Sequence, residues 1–301
     1  MTSLLAGRRR AAPGVSLSFR AAWSRYALIA AATVLVLVPF AWMVSIAFTP
    51  ADRAFGSVGL VPQNPTLDNF QAALTQVGLV RALGNSLLVA LAAVVVNCVV
   101  APLAGYAFAR LPFTGSRILF VVIIATTAIP VSVTLIPLFL MTKSFPLAGG
   151  NDILGHGGNG LLDTLPAVTI PHLVGAMNVF LARQYFLGMP PELAEAARVD
   201  GASELRIFTR IHLPLARPLI AIVAIFSFTG TWDDFLWPLV TTTSSKNYTV
   251  QLALVQFNST GNVQYGALMA GAILITLPVL VVFLFNQRSF IAGLAEGGSK
   301  G

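Results

Sequence analysis

The sequence predicts an all-α integral membrane protein, and three observations carry that expectation. Hydrophobic residues make up 56% of the 301 residues and charged residues only 10%, against about a quarter charged in an ordinary soluble domain. Six apolar runs approach or exceed the roughly 20 residues that a helix needs to cross a bilayer. Lys and Arg are shared unevenly among the segments joining those runs, as a topology signal would be.

The runs fall at 26–48, 82–109, 118–142, 164–186, 217–239 and 265–286, so a six-helix domain over 26–286 follows a basic tail, 1–25. That tail could be taken for an export signal, because Arg8, Arg9 and Arg10 precede an apolar run. The run exceeds a signal-peptide core, and Ala47-Phe48-Thr49 is a poor cleavage site, so the segment is expected to stay as the first span. With the N-terminus inside, cytoplasmic segments hold fourteen of the Lys and Arg residues. Only Arg53, Arg81, Lys143 and Lys246 lie outside. The asymmetry puts both termini, the 187–216 loop and the 287–301 tail in the cytoplasm of a multi-pass protein. Pro39, Pro102, Pro130, Pro137, Pro171, Pro238 and Pro278 fall in or near the spans and argue against straight helices.

The charge balance and the short motifs exclude several chemistries. A net charge of +7 is explained by topology and anionic headgroups, so nucleic-acid binding is not expected. Cys98 is the single cysteine, and no intrachain disulfide can form. Gly155-His156-Gly157-Gly158-Asn159-Gly160 fits a dinucleotide fingerprint, but no strand precedes it and no helix follows, so it reads as a flexible outer loop. His156, His172 and His212 are too scattered to form a metal site by local spacing and receive no chemistry. No phosphate-binding loop occurs, and the chain is expected to bind no cofactor or metal and to catalyse nothing itself.

The loop Pro190–Pro218 is polar between apolar runs. Pro191 suits the first position of a short helix, Glu192 and Glu195 suit the positive end of its dipole, and Gly201 suits a left-handed cap at its end. Ser203 can cap a second helix with Leu205, Phe208 and Ile211 on one face and Arg206 and Arg210 elsewhere. The array Glu195-Ala196-Ala197, Asp200-Gly201-Ala202, Phe208, Ile211, Leu213-Pro214 and Pro218 resembles the signature loop of ABC-importer permeases, in which a coupling helix docks into an ATPase subunit. Gly230-Thr231-Trp232-Asp233-Asp234-Phe235 and the C-terminal tail narrow the resemblance to the carbohydrate-uptake branch, similar to the maltose-transporter permeases.

The resemblance implies a type I ABC-importer permease fold in a bacterial plasma (inner) membrane. It also implies a heterodimer with a second permease, two copies of a nucleotide-binding ATPase carrying ATP and Mg, an extracytoplasmic solute-binding protein, and a sugar-like solute. Within the fifth span, Trp232, Asp233, Asp234 and Trp237 are candidates for the substrate pathway, because intramembrane acids face a bundle interior or a cavity. If the helix continues past residue 232, Asp233 and Asp234 diverge by about 100° and cannot both face one pore, while Asp233 shares a face with Trp237. A carboxylate beside an indole suits a sugar; Asp234 is left to cap or bridge to another helix. The competing reading is an ion-coupled secondary transporter that uses Asp233 or Asp234 as the coupling group.

Overall fold

The computed structural model describes residues 19–50, 60–62, 64–258 and 263–298. The Arg8–Arg10 cluster and Lys300 lie outside them. No strand occurs among the described residues. Helix α1 (Phe19–Phe48) continues through Pro39 and lies along α14 (Tyr265–Gly298). The last helix therefore runs on past the expected span end at 286, through most of the 287–301 tail. The short α2 (Asp68–Gln76) packs under both, and its buried Asn69 donates to the Ala47 and Thr49 carbonyls at 3.0 and 2.7 Å. Those carbonyls are among the groups that a helix C-terminus leaves without partners.

The central post is α3 (Leu79–Arg110), against which α7 (Ala176–Leu187) and α11 (Arg217–Trp232) pack. Small residues let the backbones approach. A Cβ on Gly105 would lie 2.4 Å from the Ala182 Cβ and 2.7 Å from backbone atoms of α7. Two buried clusters share α3. One joins Leu79, Ala82 and Ala90 to Phe228, Trp232, Val250 and Phe257; the other joins Ala101 and Tyr106 to Phe186, Phe208, Leu219 and Val223.

Among the described residues, four stretches are long and apolar enough to cross a membrane alone, Trp23–Phe48, Leu79–Arg110, Leu165–Leu187 and Tyr265–Gln287. Six are reached only by counting two bent pairs as one span each. The expected span 118–142 is such a pair, α4 (Ser116–Ala125) and α5 (Val131–Lys143), turned by 105° through a short 3-10 turn. The cause is local: Pro130 forces Ile129 into an extended conformation, φ −82 and ψ 120, which ends the helix before it. The expected span 164–186 is α6 (Leu165–Thr169), a 3-10 turn over Ile170–His172 and, after Gly175, α7.

The 187–216 loop holds α8 (Glu192–Val199), α9 (Glu204–Ile207), a π turn over Phe208–His212 and α10 (Leu213–Leu215), bent by 78° from α11. Helix α11 has 16 residues, about 24 Å at 1.5 Å per residue, and stops inside the expected 217–239 span. After it come α12 (Leu236–Thr241) and α13 (Val250–Val255). The glycine-rich segment 149–160 is more ordered than the flexible loop expected. Asn151 donates to the Lys143 and Phe145 carbonyls and accepts from Gly158, and Asp152 accepts from the Leu154 and His156 amides. Its glycines serve backbone contact, since a Cβ on Gly158 would meet Gly149 oxygen at 2.1 Å.

Candidate functional site: a cavity at the end of α11 and the exposed helix α8

The end of α11 decides what the acidic pair faces. Asp233 donates its amide to Thr229, but the next residues leave the helix, so the carboxylates are not held 100° apart on one surface. Both Asp233 and Asp234 line a single cavity of about 460 Å³, together with His172, Gly230, Trp237 and the inner side of α5. The helix does not persist past Trp232, so the condition for their divergence is not met and the helical face expected to join Asp233 to Trp237 is absent. Gly230 borders it, and a Cβ there would meet nothing within 4 Å.

Asp234 both bridges and caps. Its Oδ2 lies 3.0 Å from His172 Nε2, and its Oδ1 accepts the Trp237 amide at the start of α12, at 3.3 Å. Asp233 carries only a long contact, 3.5 Å, from the Gln251 amide. Trp237 is 5% exposed and donates its indole N–H to the Ala167 carbonyl at 2.9 Å, so only part of its ring borders the cavity. Trp232 does not border it. It stacks on Phe228 and donates to the Ile275 carbonyl, inside the core shared with α14. His172 is the member that sequence spacing missed; it lies 62 residues from Asp234, and only the turn after α6 brings it there. Among the described residues no three His, Cys, Asp or Glu side chains group as metal ligands.

Behind the cavity lies a buried polar knot. Asn97 on α3 accepts from the Gly175 amide and from Asn178, and donates to the His172 and Ala93 carbonyls; Asn178 also donates to Ser227 on α11. The break at Gly175 exposes backbone groups within the bundle, and Asn97 satisfies them, as irregular backbone at membrane depth requires.

In the 187–216 loop, α8 ends as its composition predicts. Gly201 has φ +78, Ala202 donates to Ala197 and Gly201 to Arg198, the paired bonds of a left-handed cap. Pro191 falls one position early, at the N-cap. Glu192, Glu195, Ala196, Asp200 and Gly201 are exposed, and Ala197, Ala202, Ile211 and Leu213 half-buried; Pro214 is exposed. Val199 is 89% exposed, with Leu193 and Leu205 also open to solvent. The second helix departs from expectation. Its buried face is Ile207, Phe208 and His212, while Leu205 points out and Ser203 makes no side-chain capping bond. Glu204 anchors this turn instead. Glu204 takes Arg198 Nε at 2.6 Å and the Tyr106 hydroxyl at 3.0 Å, and the Arg198 bond, above all, holds its carboxyl below the usual range.

Two further residues hold the loop to the spans. Arg110 at the end of α3 donates to the Phe186 and Met189 carbonyls at the end of α7. His212 is fully buried, its ring centroid 5.0 Å from Tyr106 and 6.2 Å from Phe186. Neither of its ring nitrogens has a hydrogen-bond partner among the described residues, and burial pushes its imidazole below the ordinary histidine range. None of Tyr106, Arg110, Glu204 and His212 stood out in the sequence. Each acts on residues distant in the chain.

The α8 motif and the spans around it define a membrane permease subunit. Residues 101–294 match the family described as "Binding-protein-dependent transport system inner membrane component", and the chain belongs to it. The arabinooligosaccharides transport system permease protein AraQ of Halalkalibacterium halodurans is 36% identical over 80% of this chain and 81% of its own. The galactooligosaccharides transport system permease protein GanQ of Bacillus subtilis is 31% identical over 92% of this chain and 94% of its own. A crystal structure of a bacterial ABC transporter involved in the import of the acidic polysaccharide alginate contains a chain that superposes with TM-score 0.77. The two are 22% identical, and the match covers 93% of this chain and all of that one.

Proposed function

We infer that this chain is the permease subunit of an ATP-driven, binding-protein-dependent importer of a sugar or sugar-like solute, in a bacterial inner membrane with both termini cytoplasmic. The observation that carries it is α8, a capped helix with exposed Glu192, Glu195 and Val199, whose Arg198 is tied through Glu204 to Tyr106 on α3, while Arg110 joins α3 to the end of α7. Such an element receives movement rather than producing it. The naming of relatives after oligosaccharide uptake supports the solute class.

The chain forms half of a pathway completed by a second permease, above two copies of a nucleotide-binding ATPase that carry ATP and Mg, and below an extracytoplasmic solute-binding protein. Closure of the ATPases shifts α8, Arg110 transmits the shift to α7, and the Asn97 knot links α7 to the His172–Asp234 cavity. ATP moves this equilibrium only through contacts that differ between the two states. In the cavity, Asp233 offers acceptor oxygens to sugar hydroxyls and the Trp237 ring an apolar surface. Asp234 is engaged by His172 and positions that wall. Membership of the family removes the ground for the ion-coupled alternative.

Glu195→Lys in the reconstituted assembly is expected to abolish solute-stimulated ATP hydrolysis while the subunit still inserts in membranes. Undiminished stimulation would overturn the coupling role of α8. Unaided accumulation of solute in sealed vesicles by the purified chain would overturn the reading as a whole.

A further inference from the structure

A second large recess, about 550 Å³, opens at the N-terminal end of α3. It shares no lining residue with the His172–Asp234 cavity. Arg81 and Lys246 both border it, with Gln76, Tyr248 and Gln264 supplying polar groups, and no Asp or Glu is among its lining residues. Both cations are exposed, and among the described residues neither has an acid within salt-bridge distance. Two like charges 165 positions apart in the chain thus border one space, with no counter-charge among the described residues.

The recess is built before anything enters it. Asn85 on α3 donates to the Lys246 and Tyr248 carbonyls, both at 2.9 Å, and the Ser86 hydroxyl accepts the Val250 amide at 2.9 Å, so the Lys246 segment is pinned to the helix that carries Arg81. Asp163 pins the same segment from the other side. Burial works to raise its carboxyl, but hydrogen bonds from Ser244, Thr243 and Asn247 outweigh that and hold it at about 2. Phe257, which lines the recess, belongs to the buried cluster that also holds Leu79 and Val250. Gly78 at the N-cap has φ +63 and no side chain to cap the dipole of the 32-residue helix, which adds to the positive potential.

We propose that this recess is a socket for an acidic side chain of the extracytoplasmic solute-binding protein, with Arg81 and Lys246 pairing with its carboxylate. The proposal rests on the importer reading and on its placement of Arg81 and Lys246 outside. Charges at the rim of an interface govern encounter rate and salt dependence more than the final fit, so the socket steers and orients the docking protein over the mouth of the pathway.

The test uses the whole transporter in lipid nanodiscs with the binding protein that, loaded with its sugar, stimulates its ATP hydrolysis. Arg81→Glu with Lys246→Glu is expected to raise the half-saturating concentration of that protein about ten-fold at low salt, and the difference should shrink at high salt as screening shortens to a few ångströms. The maximal rate and the basal hydrolysis should stay unchanged, and the basal rate also reports folding and assembly. Arg81→Gln with Lys246→Gln should fall between wild type and reversal. An unchanged half-saturation in the folded double variant overturns the socket. So does a lowered maximal rate with unchanged half-saturation, which would place the pair on the solute's own path. If no binding protein stimulates the wild-type assembly, the importer reading itself fails and takes the socket with it.

Discussion

His212 carries a charge-sensitive position at the root of the coupling loop. Its folded pKa lies below the ordinary 6.5, so between those two values the unfolded segment binds a proton that the folded one does not. Stability from this site is complete above about pH 6.5 and is lost as pH falls below it. Solute-stimulated hydrolysis should therefore become more heat-labile from pH 7 to pH 5, and His212→Phe should flatten that dependence; a variant as acid-labile as wild type would remove His212 as the cause. Gly105 sets a different limit. Because even one added carbon would lie 2.4 Å from Ala182, Gly105→Leu should cost about 1–3 kcal/mol or more through overpacking, read as a fall in the unfolding temperature of the purified subunit. Residue identity alone showed neither, since the one is an isolated histidine and the other one of 25 glycines.

Among the elements, α7 is held at both ends, at its C-terminal end by Arg110 and at the Gly175 break by Asn97. Asn97→Leu leaves the Gly175 amide, the His172 carbonyl and Asn178 short of partners. Each orphaned buried group costs about 1–3 kcal/mol, although polar pairs between helices in lipid average nearer 0.6 kcal/mol because the unfolded state also finds partners. The expected loss is about 2 kcal/mol, with non-additive effects in a cycle with Ser227→Ala; additive effects would mean that the knot is not one network. Glu204→Gln should weaken the tie between α8 and α3 and lower stimulated hydrolysis without loss of membrane insertion, whereas unchanged stimulation would show that Arg110 suffices. Short helices were legible where their own residues end them, as at Gly201. The π turn at Phe208–His212 and the inward face of Ile207 were not, because those follow from packing on Tyr106 and Phe186.

For the whole molecule, orientation is the statement with the widest reach. With Cys98 replaced by Ala, Val199→Cys should react with a membrane-impermeant maleimide only from the cytoplasmic side and Leu154→Cys only from the opposite side. Both positions are amply exposed, at 89% and 73%, so failure to label would not be a matter of burial. Labelling with the sides exchanged would invert the topology and move the Arg81–Lys246 recess to the cytoplasm.

The amino-acid sequence by itself determined that this chain lives in a bilayer, where its apolar runs begin, and that a capped, acidic helix interrupts them. These follow from hydropathy, charge and backbone preference, which act over a few neighbouring residues. Only the tertiary structure decided that the third run bends by 105° and that α11 stops at Trp232. It alone brings Asp233 and Asp234 to one cavity beside His172 and turns Trp232 into the core. The reason is that a helix end inside a membrane persists only where distant side chains satisfy its freed backbone groups. Asn97 is such a partner, taking the Gly175 amide and the His172 carbonyl, and the packing of α3 brings it there.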